Sequence, residues 1–235
     1  MKIKEAIVLA GGLGTRLRSS VPDLPKCLAP VAGKPFLHYV IDHFRKEGIE
    51  QFIFSLGYKH ELIEEFIKYG FPGLSYKNFI EVEPLGTGGA IYTACGMAEE
   101  KNVLVINGDT LFRVKLEKLI PIHYMTGADC TLSLKPLKSF SRYGAVQMNT
   151  DYRISSFEEK KFYDRGNING GVYALNATQF RKETFEPVFS FEKDYLEKHL
   201  HDRPIYGFVQ DEYFIDIGIP EDYNRAQNEL ASLKM

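Results

Sequence analysis

The run EAIVLA, residues 5–10, is apolar without alternation, and GGLGTR follows it at once. A strand with one wet face alternates polar and apolar residues, whereas one buried on both faces does not. The glycines that come next remove side chains where the backbone turns, so its amides can approach a ligand closely. This pairing of a doubly covered strand with a glycine loop restricts the chain to a layered α/β fold. The rest of the first half agrees, because short apolar runs alternate with helical patterns, as in a mostly parallel sheet covered by helices.

KPFLHYVIDHFRKEG (34–48) predicts a helix with Pro35 in its first turn, one apolar face and Gly48 as its stop. QFIFSLG (51–57) predicts a strand and HELIEEFIKYG (60–70) a second helix. A strand near 76–82, a helix from about 87 to 98 and the strand NVLVINGD (102–109) continue the alternation. After residue 115 the pattern loosens. DCTLSLK (129–135), YGAVQMN (143–149) and INGGVYAL (168–175) read as strands without regular helices between them, and PEDYNRAQNELASL (220–233) as a closing helix. No repeat, low-complexity tract or linker divides the chain. The expectation is one α/β domain over 1–235, a Rossmann-like doubly wound mixed sheet with a core over 1–112 and a mixed-sheet half over 113–235. The loops at 11–18, 83–89 and 107–110 all follow strands, which puts them on the rim where such sheets bind ligands.

A net charge of −2 argues against a general nucleic-acid binder, so any anion site must be local. Cys27, Cys95 and Cys130 make neither a CxxC pair nor a metal-ligand spacing, which fits reduced thiols in a cytosolic protein. The N-terminal apolar run is too short for a secretory leader, and no stretch approaches a membrane span. A soluble, cytoplasmic protein without membrane or nucleic-acid partners is expected. The oligomeric state stays open, a homo-oligomer included.

The glycine loop is neither of two familiar phosphate loops. A dinucleotide fingerprint needs a third glycine where Leu17 stands, and the lysine-threonine ending of a Walker A loop is absent. What remains is G-G-x-G-T-R, with Lys26 ten residues beyond Arg16. Backbone amides around Gly11, Gly12 and Gly14, a guanidinium fork and a compact ammonium suit a nucleoside triphosphate.

At this point LAGGLGTRL, with the following PK and GKP, resembles the signature of the bacterial sugar-1-phosphate nucleotidyltransferases, and further matches occur in order along nearly the whole chain. The resemblance implies a nucleotide-binding, GT-A-like α/β sheet with a sugar-binding half. It also implies a reaction that joins a sugar 1-phosphate to a nucleoside triphosphate and releases pyrophosphate. Leu9, Gly11, Gly12, Gly14 and Thr15 fall in the nucleotide-binding element, with Arg16 and Lys26 as catalytic cations. EPLGTGGA (83–90) matches the loop that meets the base, which points to Gly88; Glu83 could accept from donors on a guanine edge. Asp109 in NGDT matches the family's Mg²⁺ aspartate. Asp216, a charge between Ile215 and Ile217, is expensive to bury unless it is paired or metal-bound, and it matches the aspartate that completes the site.

In the second half, SRYGAVQ carries Tyr143 and Gly144, SFEEKKF carries Glu159 and Lys160, and NINGGVYAL carries Asn169 and Gly170. The resemblance places all of these toward the sugar phosphate. Lys161 departs from the proline usual in the second motif, which leaves that loop's conformation open. Several of the motifs are most similar to those of bacterial D-glycero-α-D-manno-heptose 1-phosphate guanylyltransferases, which implies GTP and a heptose 1-phosphate. Mannose or glucose 1-phosphate with GTP, UTP, CTP or dTTP is the alternative. A non-catalytic sugar-nucleotide sensor would lose the charged set that this chain keeps, and a glycosyltransferase would usually show a D-x-D motif, where NGDTLF offers one aspartate. No serine, cysteine or histidine stands in a nucleophile–base spacing. Direct attack by the already anionic sugar phosphate on the α-phosphorus needs none.

Overall fold

In a computed structural model, which describes residues 1–12, 14–17 and 20–232, the chain forms a nine-stranded mixed sheet with helices on both faces and two small two-stranded sheets, Pro30–Val31 with Lys34–Pro35 and Thr110–Phe112 with Phe214–Asp216. Leu13 and Arg18 of the glycine loop and Leu233 of the closing helix lie outside the described residues. β1 (Glu5–Ala10) is central. After the small hairpin of β2 (Pro30–Val31) and β3 (Lys34–Pro35) come α1 (Phe36–Lys46), β4 (Gln51–Leu56), α2 (His60–Gly70) and β5 (Ser75–Ile80). α3 (Gly86–Cys95) then returns the chain to β6 (Asn102–Asn107), on the other side of β1.

The second half runs through β7 (Thr110–Phe112), α4 (Leu116–Met125), β8 (Cys130–Phe140), β9 (Ala145–Met148), β10 (Ile154–Phe157) and β11 (Tyr163–Asn176). α5 (Ala177–Phe180), a π-helix at Phe191–Glu197, β12 (Ile205–Val209), β13 (Phe214–Asp216) and α6 (Pro220–Ser232) close it. The main path is β10-β9-β11-β6-β1-β4-β5, and β8 pairs with both β11 and β12. β4 and β6 both run parallel to β1, while β11 runs antiparallel to β6. The chain therefore winds outward in one direction from β1 and restarts in the other, which opens a crevice at the carboxyl ends of β1 and β6.

The missing alternation in the strands has the expected cause. Val8, Phe52, Phe54, Leu104 and Ile106 pack into the core beneath α1, α2, α4 and α6. Ile7, Ile53, Val103 and Val105 pack into a second core with α3, α5 and the π-helix. All nine side chains have no exposed surface (0%), so both faces are sealed. The Glu5 carboxylate, inside the first apolar run, accepts from the amides of Glu99 and Glu100 at 2.8 Å each, which explains a buried charge there.

Three expectations change. The chain also forms the helix α4, which the sequence pattern does not announce, because Pro121 inside LEKLIPIHYM removes a donor from the helix interior. Distant partners secure its start instead: the Leu116 amide donates to Glu47 at 2.9 Å and the Lys115 amide to Gln210 at 2.8 Å. β10, β12 and β13 were also missed, since strands this short carry little pattern. β5 ends at Ile80, two residues before the expected 82. Cys27, Cys95 and Cys130 are all buried free thiols. Among the described residues no helix is long and apolar enough to cross a membrane.

Two histidines are buried as neutral rings. His123 donates from Nε2 to Asn102 at 3.1 Å and accepts at Nδ1 from Thr131 at 3.0 Å, and burial pushes its pKa down to about 4. His43 donates to the Val114 carbonyl at 3.1 Å and is likewise pushed down to about 4 by burial. Below about pH 6.5 the unfolded chain binds protons that the folded rings refuse, so stability falls as pH drops from there toward about 4. The urea midpoint of the wild type should therefore fall from pH 7 to pH 5 more steeply than that of a His123→Gln variant. Equal slopes would show that His123 does not titrate on unfolding.

Candidate active site

The site forms where three breaks in regular structure meet. β1 runs out into the glycine loop, and the Gly108 amide donates to the Leu9 carbonyl at 2.9 Å, stitching the end of β6 to the end of β1. β13 pairs antiparallel with β7, with Asp216 opposite Thr110. The Ile217 amide also donates to the Asp109 carbonyl at 3.2 Å. This register brings Asp109 and Asp216, remote in sequence, side by side.

Between them lies Lys26. Its Nζ donates to Asp109 Oδ2 at 2.6 Å and faces Asp216 Oδ1 at 3.6 Å. Its side chain is only 15% exposed. Gly14 sits on its stem with φ +59°, and a Cβ there would come within 2.9 Å of Lys26 Cβ. A glycine is thus required at this point for backbone conformation and for clearance together.

Leu9, Gly12, Gly14, Thr15, Arg16, Lys26, Asp109 and Asp216 line one cleft of about 310 Å³. The structure brings together there the whole predicted catalytic set and most of the predicted nucleotide loop. Arg16 sits exposed on a single 3₁₀ turn, Thr15–Leu17, at its mouth. Asn107, Thr110, Cys27 and Gly218 also line the cleft and were not anticipated. Burial and then the charge of Asp109 push the Cys27 thiol up to about 12, so it stays protonated and is no nucleophile. Tyr143 reaches Asp216 Oδ2 with its hydroxyl at 3.4 Å. Burial, followed by the Asp216 charge, pushes its pKa up to about 12, which keeps it a donor. Its neighbour Arg142 lies 3.6 Å from the same oxygen and also pairs with the buried Asp222 of α6.

Gly11 lies beside a second hollow of about 450 Å³, lined by Glu81, Val82 and Pro84. The Glu83 side chain is exposed on the following loop, and Glu81 is the carboxylate turned toward Gly11. Glu81 Oε1 accepts from Ser55 at 2.9 Å and Oε2 from the Leu85 amide at 3.1 Å. Glu81 is the first carboxylate past the end of β5 at Ile80. Gly88 does not enter either hollow. Its amide donates to the Phe189 carbonyl at 2.9 Å, and a Cβ there would strike the Phe189 ring at 2.2 Å.

The predicted sugar residues lie on neighbouring loops rather than in the cleft. Gly144 packs on the carbonyl of Glu158, which a Cβ would meet at 2.2 Å. That contact sets the loop carrying Glu159 and Lys160, both exposed, against the Tyr143 loop. Asn169 and Gly170 form a bulge in β11. The Asn169 side chain accepts from the Gly171 amide at 3.0 Å and donates to Tyr173 at 2.8 Å, while Gly170 is buried against Phe112.

Two carboxylates beside a phosphate-shaped loop suit magnesium. Among the described residues no group of three or more His, Cys, Asp or Glu could hold a metal ion unaided. That donor set fits an ion that takes one or two carboxylates and completes its octahedron with substrate phosphates and water.

The family model described as nucleotidyl transferase matches residues 5–232. The chain belongs to this family. It is 53% identical over 226 residues, covering 96% of this chain and 98% of the relative, to a D-glycero-alpha-D-manno-heptose 1-phosphate guanylyltransferase of Aneurinibacillus thermoaerophilus. To the protein of the same name in Campylobacter jejuni it is 42% identical, covering 93% of this chain and 96% of that one. The crystal structure of HddC from Yersinia pseudotuberculosis complexed with GMP-PN superposes with a TM-score of 0.87 at 37% identity, covering 97% of this chain and all of that one. The resemblance read from GGLGTR and the later motifs is borne out, and so is the mixed α/β fold. The nucleotidyl transferase chain is thus an enzyme whose cleft gathers its ionic residues from both halves of the sheet.

Gly14→Ala should fold but lose at least tenfold in kcat/KM for the triphosphate, since the left-handed turn and the contact on Lys26 both resist a Cβ. A melting curve within a few degrees of wild type, with turnover also unchanged, would contradict this account of the loop.

Proposed function

We propose that the enzyme transfers a guanylyl group from GTP to D-glycero-α-D-manno-heptose 1-phosphate, releasing pyrophosphate, with magnesium held by Asp109 and Asp216. The observation that carries the reaction class is Lys26 Nζ placed 2.6 Å and 3.6 Å from the two carboxylates, beneath the glycine loop. The names of the heptose 1-phosphate guanylyltransferase relatives and the GMP-PN complex of HddC support the choice of nucleotide and sugar.

The obstacle in such a reaction is repulsion between two polyanions. Magnesium, when bound, neutralises phosphate charge and orients phosphate oxygens. The chain's own residues do the rest by position and charge. Amides around Gly12 and Gly14 receive the triphosphate, Arg16 steadies the departing pyrophosphate, and Lys26 neutralises the α-phosphate. Lys160, on its exposed loop, would draw the incoming sugar phosphate. Tyr143 and the Gly218 amide, which donates to Asp216 Oδ1 at 2.7 Å, fix the orientation of that carboxylate. The nucleophile is an oxygen that already carries charge, so no general base is needed. Glu81, held by Ser55 and the Leu85 amide, presents acceptors suited to the N1–H and 2-amino donors of guanine.

Pyrophosphate release, with four triphosphates against heptose, mannose and glucose 1-phosphates, tests the assignment. GTP with the heptose phosphate should give the highest kcat/KM, and no release with GTP and any sugar 1-phosphate would end it. Lys26→Ala and Asp109→Asn should each lose on the order of 10²–10³ in kcat while still melting cooperatively. Glu81→Gln should cut the preference for GTP over ITP, which lacks the 2-amino group, by about tenfold, as expected for one lost hydrogen bond to a charged acceptor. An unchanged GTP-to-ITP ratio would move base recognition elsewhere.

A further inference from the structure

We propose that Lys26 and the divalent ion compete for the same two carboxylates, so that metal binding is strong only when a triphosphate draws Lys26 away. The inference rests on the reading that Asp109 and Asp216 hold the ion, and it adds an order to the assembly of the site.

All four carboxylate oxygens already face a donor. Asp109 Oδ2 accepts from Lys26 at 2.6 Å and Oδ1 from the Thr110 hydroxyl at 3.3 Å. Asp216 Oδ1 accepts from the Gly218 amide at 2.7 Å and faces Lys26 at 3.6 Å. Its Oδ2 accepts from the Tyr143 hydroxyl at 3.4 Å and faces Arg142 at 3.6 Å. Lys26 thus faces both aspartates and Arg142 is shared between Asp216 and Asp222, so a divalent ion added alone brings two further positive charges to a half-buried place that already holds these cations. Like charges at contact distance in a partly dehydrated site repel strongly.

The two resident cations differ in freedom. Arg142 is anchored by its pair with Asp222, which is only 8% exposed, so releasing it would leave that buried carboxylate with Arg225 alone. Lys26 has no such second anchor; its only ion pairs among the described residues are with the two aspartates. It is also confined. Gly14 lies on its stem, and a Cβ at Gly218 would sit 3.2 Å from its Nζ. With its side chain only 15% exposed, the ammonium would exchange two carboxylates for little contact with water if it left them without a new partner. An anion in the cleft gives it somewhere to go. A phosphate against Gly12, Gly14 and Arg16 would offer Lys26 a new partner within the same 310 Å³ and offset the added charge.

Coupling of this kind is reciprocal: if the triphosphate strengthens metal binding by some factor, metal strengthens triphosphate binding by the same factor. The physical consequence is that stray divalent ions are held poorly until the phosphate that needs them arrives.

The test is Mn²⁺ binding followed by electron paramagnetic resonance, with and without a non-hydrolysable GTP analogue. Without nucleotide, Lys26→Met should bind Mn²⁺ at least tenfold more tightly than wild type, and the enhancement that the analogue produces should shrink by a similar factor. Lys26→Gln, which keeps a hydrogen-bond donor but no charge, should behave alike and serves if the methionine variant does not fold. If neither folded variant binds Mn²⁺ more tightly than wild type, the competition does not exist. Asp109→Asn separates the two ideas. If it binds Mn²⁺ as well as wild type in the presence of the analogue, the metal assignment itself fails, whereas weakened binding there with unaltered Lys26 variants removes only the competition.

Discussion

A single ammonium held between two carboxylates organises this molecule. Lys26 comes from a 3₁₀ turn after the glycine loop, Asp109 from the turn after β6, and Asp216 from the end of β13. Each arrives on a different piece of chain, and each is costly to place in a half-buried cleft without the others. The fold answers that cost with geometry. The β7–β13 pairing sets the two aspartates side by side, and Gly14 and Gly218 leave room for the lysine to reach both.

The supports around this cluster are mostly indirect. Arg142 links Asp216 to a buried carboxylate on α6, so the closing helix stiffens a side chain on the cleft wall. Gly144 lets the loop of Glu158 dock on the loop of Tyr143, and Tyr143 touches Asp216. The loops of Glu158 and Tyr143 are therefore tied mechanically to the carboxylate pair. Two glycines expected at ligands also serve packing. Gly88 is covered by the Phe189 ring and Gly170 by Phe112, and each stands where two layers of the protein come too close for a side chain.

Legibility in the sequence followed the range of the interactions. The first half was read nearly element by element, since β1, β4 and β6 are sealed on both faces and α1 and α2 carry apolar stripes. The glycine loop, Arg16, Lys26, Asp109 and Asp216 could be named because they stand in short motifs that resemble those of the nucleotidyltransferases. α4 escaped notice because its start is capped by Glu47 and Gln210, which no local pattern announces. The sequence does not show that Glu81 turns toward Gly11, because the end of β5 is set by its pairing with β4.

The sequence by itself determined the layered sheet and the rim on which its loops lie, and its motifs, through their resemblance to those of the nucleotidyltransferases, singled out Arg16, Lys26, Asp109 and Asp216. Those are properties of hydrophobic period and of residues adjacent in the chain, and both are local. Only the tertiary structure decided that Lys26 lies between the two aspartates, that Arg142 and Tyr143 brace one of them, and that Gly88 and Gly170 are buried. Such facts depend on strand register and on side chains from distant segments meeting, and no run of neighbouring residues encodes a distance of that kind.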